Sequence, residues 1–234
     1  MRFFGDMSDQ SFWNRFYARR QGDKRFDWFV RFEDVIGHLD PYLLPVGSDN
    51  LIRILDIGCG TSDFSFKVFE RLNRKCRIDC IDFSSEAVKA MGKIMYERGL
   101  LAKEAFDAER SVHPQNFIGL ACHQADAKNL PFSEETFALA LDKGTSDAVL
   151  KGRNGESAFV EVVKESLRVL KQDGKLVQFS DEPPEIRLIL LEKVKREMLQ
   201  SNRKEHCELR LVWRELEARS GFQHFMYVFH KGKS

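Results

Sequence analysis

The sequence predicts an α/β fold: one mostly parallel sheet, helices on both faces, and an antiparallel pair of strands at the C-terminal end. Three observations carry this expectation. Short apolar runs such as LIRILDIG at 51–58 end in glycine or aspartate, as strands buried on both faces do. Apolar stripes at helical spacing alternate with them, which is the rhythm of βαβ units. Finally, 234 residues of which 43% are hydrophobic suffice for one full-sized core and scarcely for two. The chain therefore reads as one structural domain, with an N-terminal helical and aromatic segment (1–50) covering the site and a sheet domain at 51–234.

The first strand is read over 51–58. Behind a Ser62-Asp63 capping signal, Phe64, Val68, Phe69 and Leu72 share one face of a helix over 62–73. RIDCIDF at 77–83 is the second strand, and Val88, Met91, Ile94 and Met95 stripe a helix over 84–98. Residues 99–116, charged and containing His113-Pro114, read as a helix end plus a surface insertion. Strands at 117–123 and 136–142 follow, joined through a polar turn at 126–132. The longest helix is expected at 156–170, with Phe159, Val160, Val163, Leu167 and Leu170 inward. Asp173-Gly174 then turns the chain into a fifth strand at 175–180. A helix near 185–199 and strands near 207–216 and 223–231 complete the sheet.

Asp56-Ile57-Gly58-Cys59-Gly60-Thr61 lies where the first strand meets its helix, at the carboxyl edge where open α/β sheets bind ligands. Gly58 and Gly60 permit a tight turn and close approach of the backbone to a ligand; an ordinary glycine turn is the plainer alternative. Asp82 closes the second strand 22 residues after Gly60. It is placed to accept the ribose hydroxyls of a nucleoside, or else to cap the helix at Ser84-Ser85. Gln124-Ala125-Asp126-Ala127 brings a further carboxylate to this edge, where Asp126 can accept from an adenine amino group. A dinucleotide requires a third glycine, but position 63 is Asp63, whose charge repels a pyrophosphate. The acidic edge of Asp56, Asp82, Asp126 and Asp142 favours a cationic nucleoside instead.

Thirty-seven basic against 36 acidic residues leave a net charge of +1, without the global basic field that points to nucleic acid. No apolar run approaches the roughly 20 residues of a membrane-spanning helix. Met1 to Gln10 lacks a secretory signature, so a soluble, non-secreted protein is expected. The cysteines at 59, 76, 80, 122 and 207 form no CxxC pair, and their odd number argues for a reducing compartment. Cys122 and His123 point to opposite faces of a strand and no full ligand set is visible, so no metal is expected.

DIGCGTS, the Asp82 strand end and QADAKNLPF at 124–132 together resemble the seven-stranded, Rossmann-like methyltransferases across about residues 26–231. FDWF at 26–29, LDKGTSDA at 141–148 and VQFSDE at 177–182 resemble the protein-lysine methyltransferases in particular. QFSDEPPEIRL leans toward the branch acting on citrate synthase rather than the one acting on elongation factor 1-alpha. The resemblance implies S-adenosyl-L-methionine as cofactor, held by Trp28, Asp56, Gly58, Gly60, Thr61, Asp82, Phe83, Asp126, Ala127 and Asp142. It implies a folded protein as partner, citrate synthase first and elongation factor 1-alpha as the alternative; from charge and hydropathy no nucleic acid and no membrane is expected, and of the oligomeric states, which the sequence does not fix, a monomer is expected. A small-molecule methyltransferase and an inactive donor-binding scaffold are the rival readings. The resemblance also implies the mitochondrial matrix, with the cytoplasm as alternative, because Met1 to Arg20 is not an Arg/Ser-rich, acid-poor transit peptide. It places Asp142 beside the methyl-transfer centre at the mouth of the donor pocket, where a carboxylate can orient the incoming amine; a helix cap is the plainer alternative. Asp181 is the second catalytic candidate, and Lys143 reads as a solvated loop charge. Trp13, Trp28 and Phe29 either fold over the donor as a lid or pack as a hydrophobic strap.

Overall fold

A computed structural model describes residues 5–20, 26–43, 51–100, 117–201, 207–216 and 223–233. Its seven strands are β1 (Ile52–Ile57), β2 (Cys76–Asp82), β3 (Gly119–Gln124), β4 (Phe137–Lys143), β5 (Leu170–Ser180), β6 (Cys207–Leu216) and β7 (His224–Lys233). They form one sheet in the order β3-β2-β1-β4-β5-β7-β6. β1 to β5 run parallel, while β7 is antiparallel to both β5 and β6. The order reverses between β1 and β4, and such a switch point opens a crevice beyond the carboxyl ends of the strands.

The described helices are α1 (Gln10–Ala18), α2 (Phe32–Leu43), α3 (Phe64–Arg71), α4 (Ser85–Glu97), α5 (Thr145–Leu150), α6 (Gly155–Val169) and α7 (Pro184–Ser201). Alternation along each strand sends side chains to two cores. Ile54, Ile78, Leu139 and Val177 pack with Val35 and Leu39 of α2, Phe64 and Phe66 of α3 and Met91 and Met95 of α4. Leu55, Ile81, Ala140 and Leu176 pack with Phe159 and Val163 of α6 and Leu190 and Leu191 of α7. Every residue of β2 is buried, its charged Arg77 and Asp79 included, which pair with each other at 2.7 Å.

Some boundaries differ from the expectation. The longest described helix is α7, opened by Pro184 at its first position, where a missing N–H costs nothing. α6 ends at Val169, because Leu170 turns to extended backbone and already opens β5 opposite Phe137. The next register pair is Leu139 with Lys175, so 171–174 bulges out of the strand, with Asp173 at φ +61°. Of the insertion expected at 99–116, residues 101–116 lie outside the described residues. Cys59, Cys76, Cys80 and Cys122 are free thiols.

Candidate active site

A cavity of about 540 Å³ opens at the switch point. Its floor is the loop between β1 and α3. Gly58 (φ +66°) and Gly60 (φ +53°) hold left-handed conformations that favour glycine. The space each saves is taken by another side chain: a Cβ on Gly58 would overlap Thr145 Oγ1, and one on Gly60 the Tyr17 hydroxyl. Thr145 Oγ1 donates to the carbonyl of Ile57 at 2.8 Å, tying the start of α5 to the end of β1.

Asp82 stands beside this loop, accepting from the N–H of Gly60 at 3.0 Å and of Ser84 at 2.8 Å. Ser84, not Asp82, caps α4, its hydroxyl accepting from Ala87 N–H. Burial raises the Asp82 pKa to about 6 against the pull of those two N–H groups. Asp56 is raised to about 6 by the same cause, although Ser65 donates its hydroxyl to it. The Phe83 carbonyl accepts from Gln10 of α1 and, at 3.2 Å, from Gln124 of β3. Asp126 is more exposed, turning through the Lys128 N–H at 2.9 Å. Asp56, Gly58, Gly60, Asp82, Phe83, Asp126 and Ala127 all line the cavity.

The opposite wall comes from the N-terminal segment: Met7, Trp13, Tyr17, Phe26 and Trp28 line it. The Trp13 and Tyr17 rings stack at 5.9 Å, and Trp13 meets Trp28 edge-on at 5.8 Å. The Trp13 indole N–H donates to the Met7 carbonyl at 2.7 Å. Trp28 in turn fills the space left by Gly144 (φ +86°), where a Cβ would overlap the indole.

The chain matches the family described as a methyltransferase domain over residues 48–232. It is 36% identical over 193 residues to the mitochondrial citrate synthase-lysine N-methyltransferase of Pongo abelii, covering 80% of this chain and 75% of that one. It is 33% identical over 172 residues to an eEF1A lysine and N-terminal methyltransferase homolog of Drosophila pseudoobscura pseudoobscura, covering 73% of this chain and 22% of that one.

The chain belongs to the protein-lysine methyltransferases. Its fold is also that of the N-methyltransferase NodS of Bradyrhizobium japonicum, solved with S-adenosyl-L-homocysteine, at a TM-score of 0.58 and 13% identity over 94% of this chain and 98% of that one.

In this methyltransferase three expected site residues stand apart from the cavity wall. Asp142 is 1% exposed, beneath the surface rather than at the mouth. Its carboxylate accepts from Thr145 N–H at 2.9 Å, Ser146 N–H at 3.3 Å, the Ser146 hydroxyl and Gln178 Nε2 at 2.8 Å. That is the pattern of a cap on α5. Asp181 is exposed and pairs with Lys151 at 3.7 Å. Thr61 faces the N-terminal segment, its hydroxyl accepting from Phe26 N–H at 3.3 Å. Asp63 pairs with Lys67 at 3.1 Å and is not on the wall, so the acidic character of the cavity comes from Asp9, Asp56, Asp82 and Asp126.

The methyltransferase's Lys143 corrects the reading of a solvated charge. Its side chain is 8% exposed and lines the cavity, and its ammonium donates to Asp27 Oδ1 at 3.1 Å and to the Trp28 carbonyl at 3.2 Å. The motifs FDWF and DKGT are thus two halves of one contact, which their separate mention in the sequence did not reveal. Burial pulls the Lys143 pKa below its ordinary value, with Asp27 opposing. Burial works to raise the Asp27 carboxyl, yet Lys143 and the Ser62 hydroxyl at 2.5 Å hold it below the usual range. Among the described residues no group of His, Cys, Asp and Glu is arranged to hold a metal ion.

Proposed function

We propose that the cavity binds S-adenosyl-L-methionine and that the methyl group goes to a lysine ε-amine of a folded protein, citrate synthase, in the mitochondrial matrix. The observation that supports this most is the make-up of the wall: Asp82 held ready by two backbone N–H groups on one side, aromatic rings on the other. A carboxylate at a strand end suits ribose hydroxyls, and rings attract a sulfonium as they do any cation. The volume falls within the roughly 300–1,000 Å³ of small-molecule sites.

When bound, the donor supplies an electrophilic methyl carbon on sulfur; what the chain contributes is placement and exclusion of water. A lysine of reference pKa near 10.4 is only about one part in a thousand neutral near pH 7.4, a deficit of roughly 4 kcal/mol. Trp13, Tyr17, Phe26 and Trp28 offer a dry wall, and desolvation favours the neutral amine. In this reading Asp142 is a positioning residue that acts through the turn it caps, and Asp181 is a contact for the substrate protein beyond β5.

Incubation with methyl-labelled donor and purified citrate synthase should place label on lysine, read by peptide mass spectrometry. Label on elongation factor 1-alpha alone would move the substrate to the protein named in the Drosophila relative. Label on small molecules alone would overturn the protein substrate.

A further inference from the structure

Helices α6 and α7 differ in reach. Glu156, at the second position of α6, pairs with Lys193 of α7 at 3.9 Å, and Lys164 farther along pairs with Glu197. Both helices therefore run in the same sense, with Lys193 level with the start of α6. Ile186 precedes Lys193 by two turns, which at 1.5 Å per residue puts it about 10 Å farther out. The beginning of α7 thus projects past α6 at the carboxyl edge of the sheet, where the cavity opens. Ile186 and Ile189 continue the row that holds Lys193 and Glu197, and they are 51% and 68% exposed. No large apolar side chain among the described residues is more exposed than Ile189. The projection is anchored from below. Arg187, wholly buried, donates to Asp147 of α5 and, at 2.6 Å, to the Ser180 hydroxyl, while the Tyr227 hydroxyl donates to the Glu182 carbonyl at 2.8 Å.

Place and charge together say what this end of α7 meets. Val149 of α5 and Ala158 of α6 line the cavity, and Lys151, just after Val149, pairs with Asp181 just ahead of α7. The surface is therefore continuous with the rim that an incoming amine must cross. Asp181, Glu182 and Glu185 cluster there, and among the described residues only Lys151 pairs with any of them. The helix macrodipole favours acid in a first turn, but it gives no reason for two isoleucines in water beside it. We propose that Ile186, Ile189 and these carboxylates form the docking surface for the substrate protein, taking a patch of it that has an apolar centre and a basic rim next to the target lysine. The inference deepens the protein-lysine reading above and rests on it. An apolar centre with a polar rim is the anatomy of a protein interface, and an end of helix already fixed by Arg187 loses little freedom on docking.

The test follows methylation of purified citrate synthase at varied substrate and salt. Ile186→Ser combined with Ile189→Ser should raise KM for the protein at least about tenfold, since two apolar side chains no longer leave water on docking. kcat at saturation, S-adenosylhomocysteine affinity by calorimetry and the melting temperature should stay as in the wild type, because both side chains are exposed in the free enzyme. Glu185→Lys should raise KM at low salt and flatten the rise of KM with salt that the wild type shows. Unchanged KM in both variants would overturn the proposal, as would a loss of donor affinity that accounts for the whole effect. A wild-type dimer in sedimentation that the serine pair turns into a monomer would give the patch to a second copy of the chain and overturn it too. Should the serine pair lower the melting temperature, the salt dependence of Glu185→Lys decides alone. Wild-type enzyme that labels no folded protein would overturn the functional reading itself, and this inference with it, before any variant is compared.

Discussion

Asp82 and Asp142 occupy equivalent places, each the carboxylate near the end of a parallel strand, and each accepts two backbone N–H groups from the turn that follows or faces it. Their surroundings part them. Asp82 has no side-chain donor among the described residues and lines the cavity. Asp142 also takes the Ser146 hydroxyl and the Gln178 amide, which use up its lone pairs inside the protein. A carboxylate is available to a ligand only where the fold has left part of its acceptor capacity unfilled. On the β2 side the fold leaves it; on the β4 side it spends it on α5, and a lysine takes the place on the wall.

The largest effect should come from Gly58→Val, which touches the joint between the two regions. A branched side chain at φ +66° is strained, and its Cβ would displace Thr145 from the Ile57 carbonyl. Donor binding should be lost and stability should fall by at least about 2 kcal/mol in a thermal melt. A Gly58→Val protein with normal melting and affinity would show that the two regions are not joined there.

Next, Asp82→Asn and Asp142→Asn set the two carboxylates against each other. Asp82→Asn should weaken donor binding by about 1.5–3 kcal/mol with a small change in melting, since it removes a charged acceptor from ligand. Asp142→Asn should keep donor affinity within a few-fold while lowering the melting temperature and turnover together, because an amide cannot accept four donors. A normal melting temperature with lost turnover would instead put Asp142 in contact with the amine. pH separates them further. Burial raises the Asp82 pKa to about 6, above the ordinary carboxylate range, so the unfolded chain gives up this proton first. The free protein therefore loses stability as pH rises from about 4 to 6, and a cationic donor, which needs the charged form, binds better through the same interval. In Asp82→Asn the part of both slopes due to this group should vanish, leaving in the stability slope those of Asp56 and Asp147, which burial also raises.

The smallest effect belongs to Asp181→Asn. Its pair with Lys151 is exposed on both sides, and such pairs contribute well under about 1 kcal/mol. Melting should not move measurably and donor affinity should be unchanged; an increase in KM for the protein substrate would mark it as a docking contact, and an unchanged KM would remove it from the site.

The strands, the two glycines and the carboxylates of β2 and the turn after β3 were legible because they depend on local rules: period-two burial, a turn that needs positive φ, a strand end at the edge. Lys143 was not, because its partner Asp27 lies 116 residues earlier in the chain and only the docked N-terminal segment makes the site dry. The burial of Asp142 was not legible for a related reason. Spacing places a side chain at an edge, but whether it faces a cavity depends on Gln178, a neighbour across the β4–β5 pair. Leu170 was read as helix because its apolar spacing continues that of α6, while the turn of its backbone into β5 has no apolar signature.

The strand order carries a consequence for how the molecule is made. β5 ends at Ser180, yet its neighbour on the far side is β7, which does not begin until His224. A ribosome releases the chain from the N-terminus, so one edge of β5 stays open while α7 and β6 emerge, and β6 itself pairs with β7 alone among the strands. An open parallel edge is a template for another chain. Nascent copies stalled anywhere between these two strands would present that edge to one another, and release of the last strand is the event that ends their stickiness.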